Sequence, residues 1–205
     1  MTHLAILGAG GHGCVVYEAA VASRWDNISF YDDAWPASSS VMELQIKGGT
    51  KDLVNSAKLF DAVIVAIGDN QTRLRKCNYL KDNGLNLATV IHPSAVVSPS
   101  SKIGAGSVIL AGAVVSANST LGNAVIVNNT SSIDHDCILG DGVHVSPGVN
   151  IGGGVRIGKC SWLGLGSNVL NSINIGRSVI VGAGAVVVKD TRDSLTVTGV
   201  PATPI

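Results

Sequence analysis

From Ile91 onward an aliphatic residue returns at every sixth position without a slip. Ile91, Val97, Ile103, Ile109, Val115, Leu121, Val127, Ile133, Leu139, Val145, Ile151, Ile157, Leu163, Val169, Ile175 and Val181 open sixteen successive sixes, and Val187 opens an unfinished one. The fifth residue of each six, from Ala95 and Ser101 through Cys137 and Val149 to Ala185, is small or aliphatic and never charged. Neither the helical period of about 3.6 nor the strand period of 2 produces such a repeat. A parallel β-helix does. Each six is a short strand plus a bend, three sixes close a triangular coil, and stacked coils bury a continuous core. The pattern places the first residue in the prism interior and the fifth in a cramped site beside a corner. It assigns the glycines that follow first residues, such as Gly104, Gly122, Gly140 and Gly164, to relaxing the bends.

The first 88 residues follow other rules. Leu4 to Leu7 is a short apolar run, Gly8-Ala9-Gly10-Gly11-His12-Gly13 is a G-x-G-x-x-G turn, and Val15, Val16, Ala19 and Ala20 recur at helical spacing. In a strand–turn–helix context such glycines let backbone approach a phosphate, and the helix N-terminus offers free N–H groups. A tight turn that needs glycine for geometry is the alternative, and His12 within it reads equally as a turn residue. Ile28 to Tyr31 is a second strand ending at Asp32-Asp33, where an acidic side chain holds a ribose or base edge in dinucleotide folds, or else sits in a solvated turn. Thr50 to Leu53 starts a short helix. Asp61 to Ile67 is a buried strand ending in Gly68-Asp69-Asn70, followed by a helix to about Asn83 whose apolar face is Leu74, Cys77 and Leu80. Leu87 to Val90 is expected as the last strand. Residues 1–88 therefore make a Rossmann-like α/β half domain with room for one nucleotide and hardly for a whole NAD, and 89–205 make the β-helix with a C-terminal tail.

Composition narrows the partners. The net charge is zero and only 14% of residues are charged, which points away from nucleic acid and from a charged membrane surface. No run of eighteen apolar residues occurs, so no membrane insertion is expected. Cys14, Cys77, Cys137 and Cys160 lack metal or disulfide spacing and read as reduced thiols in a cytoplasmic protein without a signal peptide. Few side chains of the repeat ionise. His135, flanked by Asp134 and Asp136, is the third residue of its six and points outward, as a solvated corner or as chemistry.

The six-residue repeat resembles that of the left-handed β-helix acyltransferases. The run Asn129-Thr130-Ser131-Ser132-Ile133-Asp134-His135-Asp136-Cys137, the Gly turn and the junction Ile91-His92-Pro93-Ser94-Ala95 together resemble one subfamily. It comprises bacterial sugar O/N-acetyltransferases related to sialic acid O-acetyltransferases and to enzymes that acetylate nucleotide-linked 4-amino-4,6-dideoxy sugars. The resemblance implies a left-handed coil and a homotrimer with active sites at subunit boundaries. It implies acetyl-CoA as co-substrate without a metal, and a nucleotide-sugar acceptor. It makes His135 the general base and Asp136 its carboxylate, puts acetyl-CoA against His144, Leu165 and Ala183, and puts the acceptor against Gly10, Gly11, His12, Asp32, Asp33 and Gly68. A UDP-linked amino-dideoxy sugar is the expected acceptor, with a GDP-linked one or sialic acid as alternatives. One departure stands out: after Gly199-Val200-Pro201-Ala202, Thr203 replaces the basic residue common in such tails. Readings from other classes are a zinc-dependent carbonic anhydrase on the same coil, which needs three His ligands, a non-catalytic nucleotide-sugar-binding trimer, and an NAD-dependent enzyme.

Overall fold

The structure, a computed structural model, describes residues 1–205. Three parallel strands, β1 (His3–Leu7), β2 (Asn27–Tyr31) and β3 (Ala62–Val65), lie in the spatial order β2-β1-β3. Helices α1 (Gly11–Ala22), α2 (Thr50–Asn55) and α3 (Asn70–Asp82) connect or flank them. The apolar runs in β1 and β3 are continuous because both sheet faces are covered. Leu4, Ile6 and Ile64 pack with Val16, Ala19 and Ala20 of α1, while Ala5, Val63 and Val65 pack with Leu74, Cys77 and Leu80 of α3.

The expected fourth strand, Leu87 to Val90, is not one. Leu87 makes a single parallel bridge to Val63, and the chain then leaves the sheet. Val90 and Ile91 pair instead with Val108 and Ile109, one coil further on. The eighteen-residue step of the solenoid already includes Val90, so the β-helix begins where the sequence suggested the sheet would end.

From there the chain is a left-handed parallel β-helix of two-residue strands on three faces, carrying six, five and eight strands. Partners such as Val114 and Ser132, Thr120 and Ile138, or His144 and Trp162 are one coil apart. Ile109, Leu121, Val127, Ile133, Leu139, Val145 and their successors fill the prism with the fifth-position residues. Two buried serines at the fifth position are satisfied across coils, Ser119 Oγ donating to the Asp134 carbonyl at 2.8 Å and Ser161 Oγ to that of Gly176 at 2.7 Å, whereas Ser167 Oγ is buried without a partner.

Two expectations need correction. The second-position glycines do not relax the bends. The left-handed bend falls on the fourth residue of the six, at Asn118, Ala124, Thr130, Asp136 and Cys160 among others. The second-position glycines serve close stacking instead: a Cβ on Gly140 meets Lys159 N of the next coil at 2.7 Å, and one on Gly164 meets Val181 O at 2.7 Å. Nor does the solenoid end at Val187. Thr191 bridges to Ile175, and Thr196–Thr198 pairs in parallel with Ile180–Val181. The last coil is two residues short, so the period is lost while the stacking continues. Thr203–Pro204 then folds back antiparallel on Thr198 and Val197.

The two parts meet along one edge of the prism. Gly106, Ala124, Gly142 and Cys160 occupy the same corner in four successive coils, and α3 lies along it. Asn70 Nδ2 donates to the carbonyls of Cys160 (3.1 Å) and Ser161 (3.2 Å). Arg73 reaches those of Gly142 and Ala124. A Cβ on Gly106 stands 3.2 Å from Cys77 Sγ. A helical turn advances about 5.4 Å and a strand spacing is about 4.8 Å, so one turn of α3 meets about one coil.

Candidate active site

The carboxyl ends of β1, β2 and β3 open toward the face that carries His144. Gly8 follows β1 with φ of 117°, a region that favours glycine, and a Cβ there meets the Ala66 carbonyl oxygen at 2.6 Å. A Cβ on Gly13 collides with the Gly8 carbonyl. These two glycines are required by packing. Gly10 and Gly11 have open space around them and are exposed. Gly10 is the N-cap of α1, no side chain caps the helix, and no acidic residue sits in its first turn. The free amides of that turn are therefore left bare. Geometry requires glycine at Gly8 and Gly13, and leaves Gly10 and Gly11 open to solvent.

Asp32 and Asp33 are held internally. Asp32 accepts from Ala9 N at 2.7 Å and Ala34 N at 2.8 Å, which ties the Gly turn to the end of β2. Asp33 accepts from Thr50 N (2.7 Å), Thr50 Oγ1 (2.9 Å) and Lys76 Nζ (2.6 Å). Burial opposes its ionisation, but the bonds from Lys76 and Thr50 outweigh it and keep the carboxyl below its ordinary range.

Beyond these strand ends lies a cleft of about 410 Å³ lined by Gly68, Asp69, Asn70, Gln71, His144 and Trp162, with others. The His12 and His144 ring centroids are 6.5 Å apart, and Trp162 stacks on His144 at 6.3 Å. Trp162 Nε1 donates to Ser146 Oγ at 2.8 Å, which fixes the indole. His12 Nε2 is buried without a partner. Burial, then the Arg73 charge, pushes His12 down to about 4 and His144, with His12 adding to it, down to about 3. Both imidazoles are neutral at pH 7 and too weakly basic to take a proton from an amine.

His135 lies at a different corner, between the strands Ser132–Ile133 and Ile138–Leu139, and is 57% exposed. Asp136 occupies the left-handed fourth position, φ 58°, which folds its carboxylate back onto the ring. Asp136 Oδ2 is 2.7 Å from His135 Nδ1, and Asp134 Oδ2 is 4.0 Å from Nε2. An ionised carboxylate only accepts, so Nδ1 carries the proton and Nε2 keeps its lone pair. The Asp136 hydrogen bond, followed by the charge of Asp134, raises the His135 pKa, and the same bond lowers that of Asp136. Beneath the ring is Gly153, where a Cβ comes within 2.7 Å of Nε2.

Leu165 and Ala183, exposed and one coil apart, form a third corner, with Gly184 N donating to the Leu165 carbonyl at 2.8 Å. The fold thus brings Gly68 and His144 together at one cleft, sets His12 beside His144, and leaves His135–Asp136 at another corner of the same chain.

Comparisons with known proteins agree with this architecture. Residues 3–80 match the family described as the PglD N-terminal domain. The acetyltransferase domain of PglB from Neisseria gonorrhoeae is 42% identical with a TM-score of 0.94, and each chain covers all of the other. The same domain has been solved with acetyl coenzyme A. PerB from Caulobacter crescentus, in complex with CoA and GDP-perosamine, is 37% identical with a TM-score of 0.95, over 100% of this chain and 98% of that one. A comparison with curated proteins gave no match. The chain belongs to the PglD/PglB/PerB family of sugar N-acetyltransferases.

Three residues of the candidate site escape a sequence reading. Trp162 looks like any outward residue of its six until it stacks on His144. Gly153 sits in the run Gly152-Gly153-Gly154, a signal that marked the place without giving the reason. Arg73, wholly buried, lies among Thr72, Arg75 and Lys76 and reads as a solvated helix face. Its helical register with Asn70, Leu74 and Cys77 was the available clue. No three His, Cys, Asp or Glu side chains converge on a point that holds a metal ion, and no helix is long and apolar enough to cross a membrane.

Proposed function

We propose that this acetyltransferase moves the acetyl group of acetyl-CoA to the amine of a nucleotide-linked amino-dideoxy sugar, UDP-linked in our reading, with His135 as general base. The observation that carries the proposal is the 2.7 Å bond from His135 Nδ1 to Asp136, which leaves a basic, unblocked Nε2 on an outward corner. Nε2 takes a proton from the sugar amine as its nitrogen attacks the thioester carbonyl. The tetrahedral intermediate collapses with cleavage of the C–S bond, and the imidazolium returns the proton to the departing thiolate. Asp136 holds the tautomer and stabilises the imidazolium. No covalent acetyl-enzyme is involved.

His135 and the His144 cleft occupy different sides of one prism, so a site that uses both is built from two copies, His135 from one and His144 from the next. A homotrimer supplies three such sites. The face bearing Val96, Val114, Ser132, Asn150, Asn168 and Val186 supports this assembly: it carries no charge, and Val96 is 63% exposed. Acetyl-CoA would lie along His144, Leu165 and Ala183, and the acceptor's nucleotide along Gly10, Gly11, His12, Asp32, Asp33 and Gly68. Both substrates are made in the cytoplasm, which is the location that the proposal implies. The PerB complex favours a GDP-linked amino sugar as the second reading.

The test is release of free thiol from acetyl-CoA with UDP- and GDP-linked 4-amino-6-deoxy sugars, CMP-sialic acid and free sialic acid. Turnover with a single nucleotide amino sugar fixes reaction, acceptor and nucleotide together. Turnover with the sialic acids alone moves the chemistry to a hydroxyl and refutes the amine acceptor.

A further inference from the structure

Arg73 is 0% exposed, and each of its five N–H groups has its own acceptor. Nε donates to Ala124 O (2.9 Å), and one terminal nitrogen to Ile67 O (3.0 Å) and Gly68 O (2.9 Å). The other donates to Asn70 Oδ1 (2.9 Å) and Gly142 O (2.9 Å). None of the ion pairs in the fold involves it. Burial lowers its pKa to about 10, so it stays charged at neutral pH. A buried cation balanced by carbonyls alone is costly to keep. A planar fork is also the one side chain that satisfies five fixed acceptors at once.

One of those acceptor residues, Gly68, lines the cleft, and Ile67 immediately precedes it. The carbonyls of Ile67 and Gly68 both turn inward to the guanidinium. A trans peptide points its N–H opposite to its C=O, so the N–H groups of Gly68 and Asp69 turn away from Arg73, and both residues line the cleft with His144. Neither amide donates a hydrogen bond within the chain. Gly68 has nothing within 4 Å of where a Cβ would sit, so the space beside it is open. Successive outward N–H groups form an anion-binding concavity, and a guanidinium on the carbonyl side polarises the same peptides toward it.

We propose that Arg73 is a positioning residue for substrate binding: it locks the Ile67–Gly68 and Gly68–Asp69 peptides against two successive coils so that their N–H groups receive the diphosphate of the acceptor. The inference rests on the nucleotide-bearing acceptor proposed above. It assigns the affinity for phosphate to a residue that never touches the ligand.

The test is calorimetric titration of the full-length protein with UDP, GDP and CoA, on the wild type, Arg73→Lys and Arg73→Met. Lysine keeps the charge and loses the fork; methionine keeps the bulk and loses both. Loss of oriented, charge-assisted donors weakens the preferred nucleoside diphosphate by about tenfold or more in Arg73→Lys, while CoA binding stays within about twofold of wild type. Should Arg73→Met fail to fold, the lysine variant alone decides. Unchanged diphosphate affinity in a folded Arg73→Lys overturns the proposal. So does an equal loss of both ligands, which marks general damage, and so does a wild type that binds neither diphosphate. Arg73-dependent diphosphate binding in a protein that acetylates none of the sugars keeps this inference and sinks the proposed reaction.

Discussion

His135 differs from the other histidines near the site in one respect, a carboxylate bonded to its Nδ1 in an exposed setting. His12 and His144 are desolvated beside Arg73 and lose basicity, whereas His135 gains it. Replacing His135 with Ala is expected to lower kcat by about 10²–10⁴-fold, the usual worth of a general base, with oligomeric state unchanged by light scattering. Near-wild-type turnover sinks the assignment. The proposed base would work as the neutral imidazole, and the His135 pKa is raised from the ordinary 6.5 by the Asp136 hydrogen bond. The acid limb of kcat/KM is therefore expected above pH 6.5, and Asp136→Asn is expected to shift it to lower pH while slowing the plateau. A limb that stays put in Asp136→Asn removes Asp136 from the mechanism. Gly153→Ala tests position alone: its methyl displaces Nε2, and a misplacement of about 1 Å costs up to roughly a hundredfold in rate, with an unchanged melting temperature expected.

The six-residue unit has a division of labour that its sequence only half discloses. First and fifth residues fill the core, the fourth takes the left-handed bend, and a second-position glycine lets coils stack. Gly140→Ala drives a methyl to 2.7 Å from Lys159 N, and overpacking of this kind costs about 1–3 kcal/mol. A lowered denaturant midpoint checks it, and an unchanged midpoint means that the coils slide apart more easily than their stacking suggests. The third residue of the His135 six points away from the core, so the proposed base sits there, followed by Asp136 at the bend, without disturbing the coil. In α3 the apolar spacing of Leu74, Cys77 and Leu80 was legible. The burial of Asn70 and Arg73 was not, because a polar side chain is buried only where a partner surface offers it acceptors.

At the scale of the molecule, the seam between the half domain and the β-helix holds two imidazoles neutral. Their folded values, about 4 for His12 and about 3 for His144, lie below the 6.5 of the unfolded chain. The unfolded state takes up protons first as pH falls, so this part of the stability is complete above pH 6.5 and is lost between 6.5 and about 3. The melting temperature is expected to fall over that range, and less steeply in His12→Asn. Identical slopes in the two proteins remove His12 as a contributor.

The solenoid was readable because its contacts repeat: each residue meets the one a fixed step away, so a local pattern states the tertiary arrangement sixteen times over. The exposed contact of His135 with Asp136 was readable for a related reason, the two being adjacent in the chain and at a corner of known direction. The tertiary structure alone decided what occurs once. It joined Val90 to the β-helix rather than to the sheet, turned Asp32 inward to hold Ala9, placed His12 beside His144, and buried Arg73 against Ala124 and Gly142. These depend on a helix whose pitch nearly matches the rise of the coil beneath it. That match is a property of two surfaces, and no period along the chain records it.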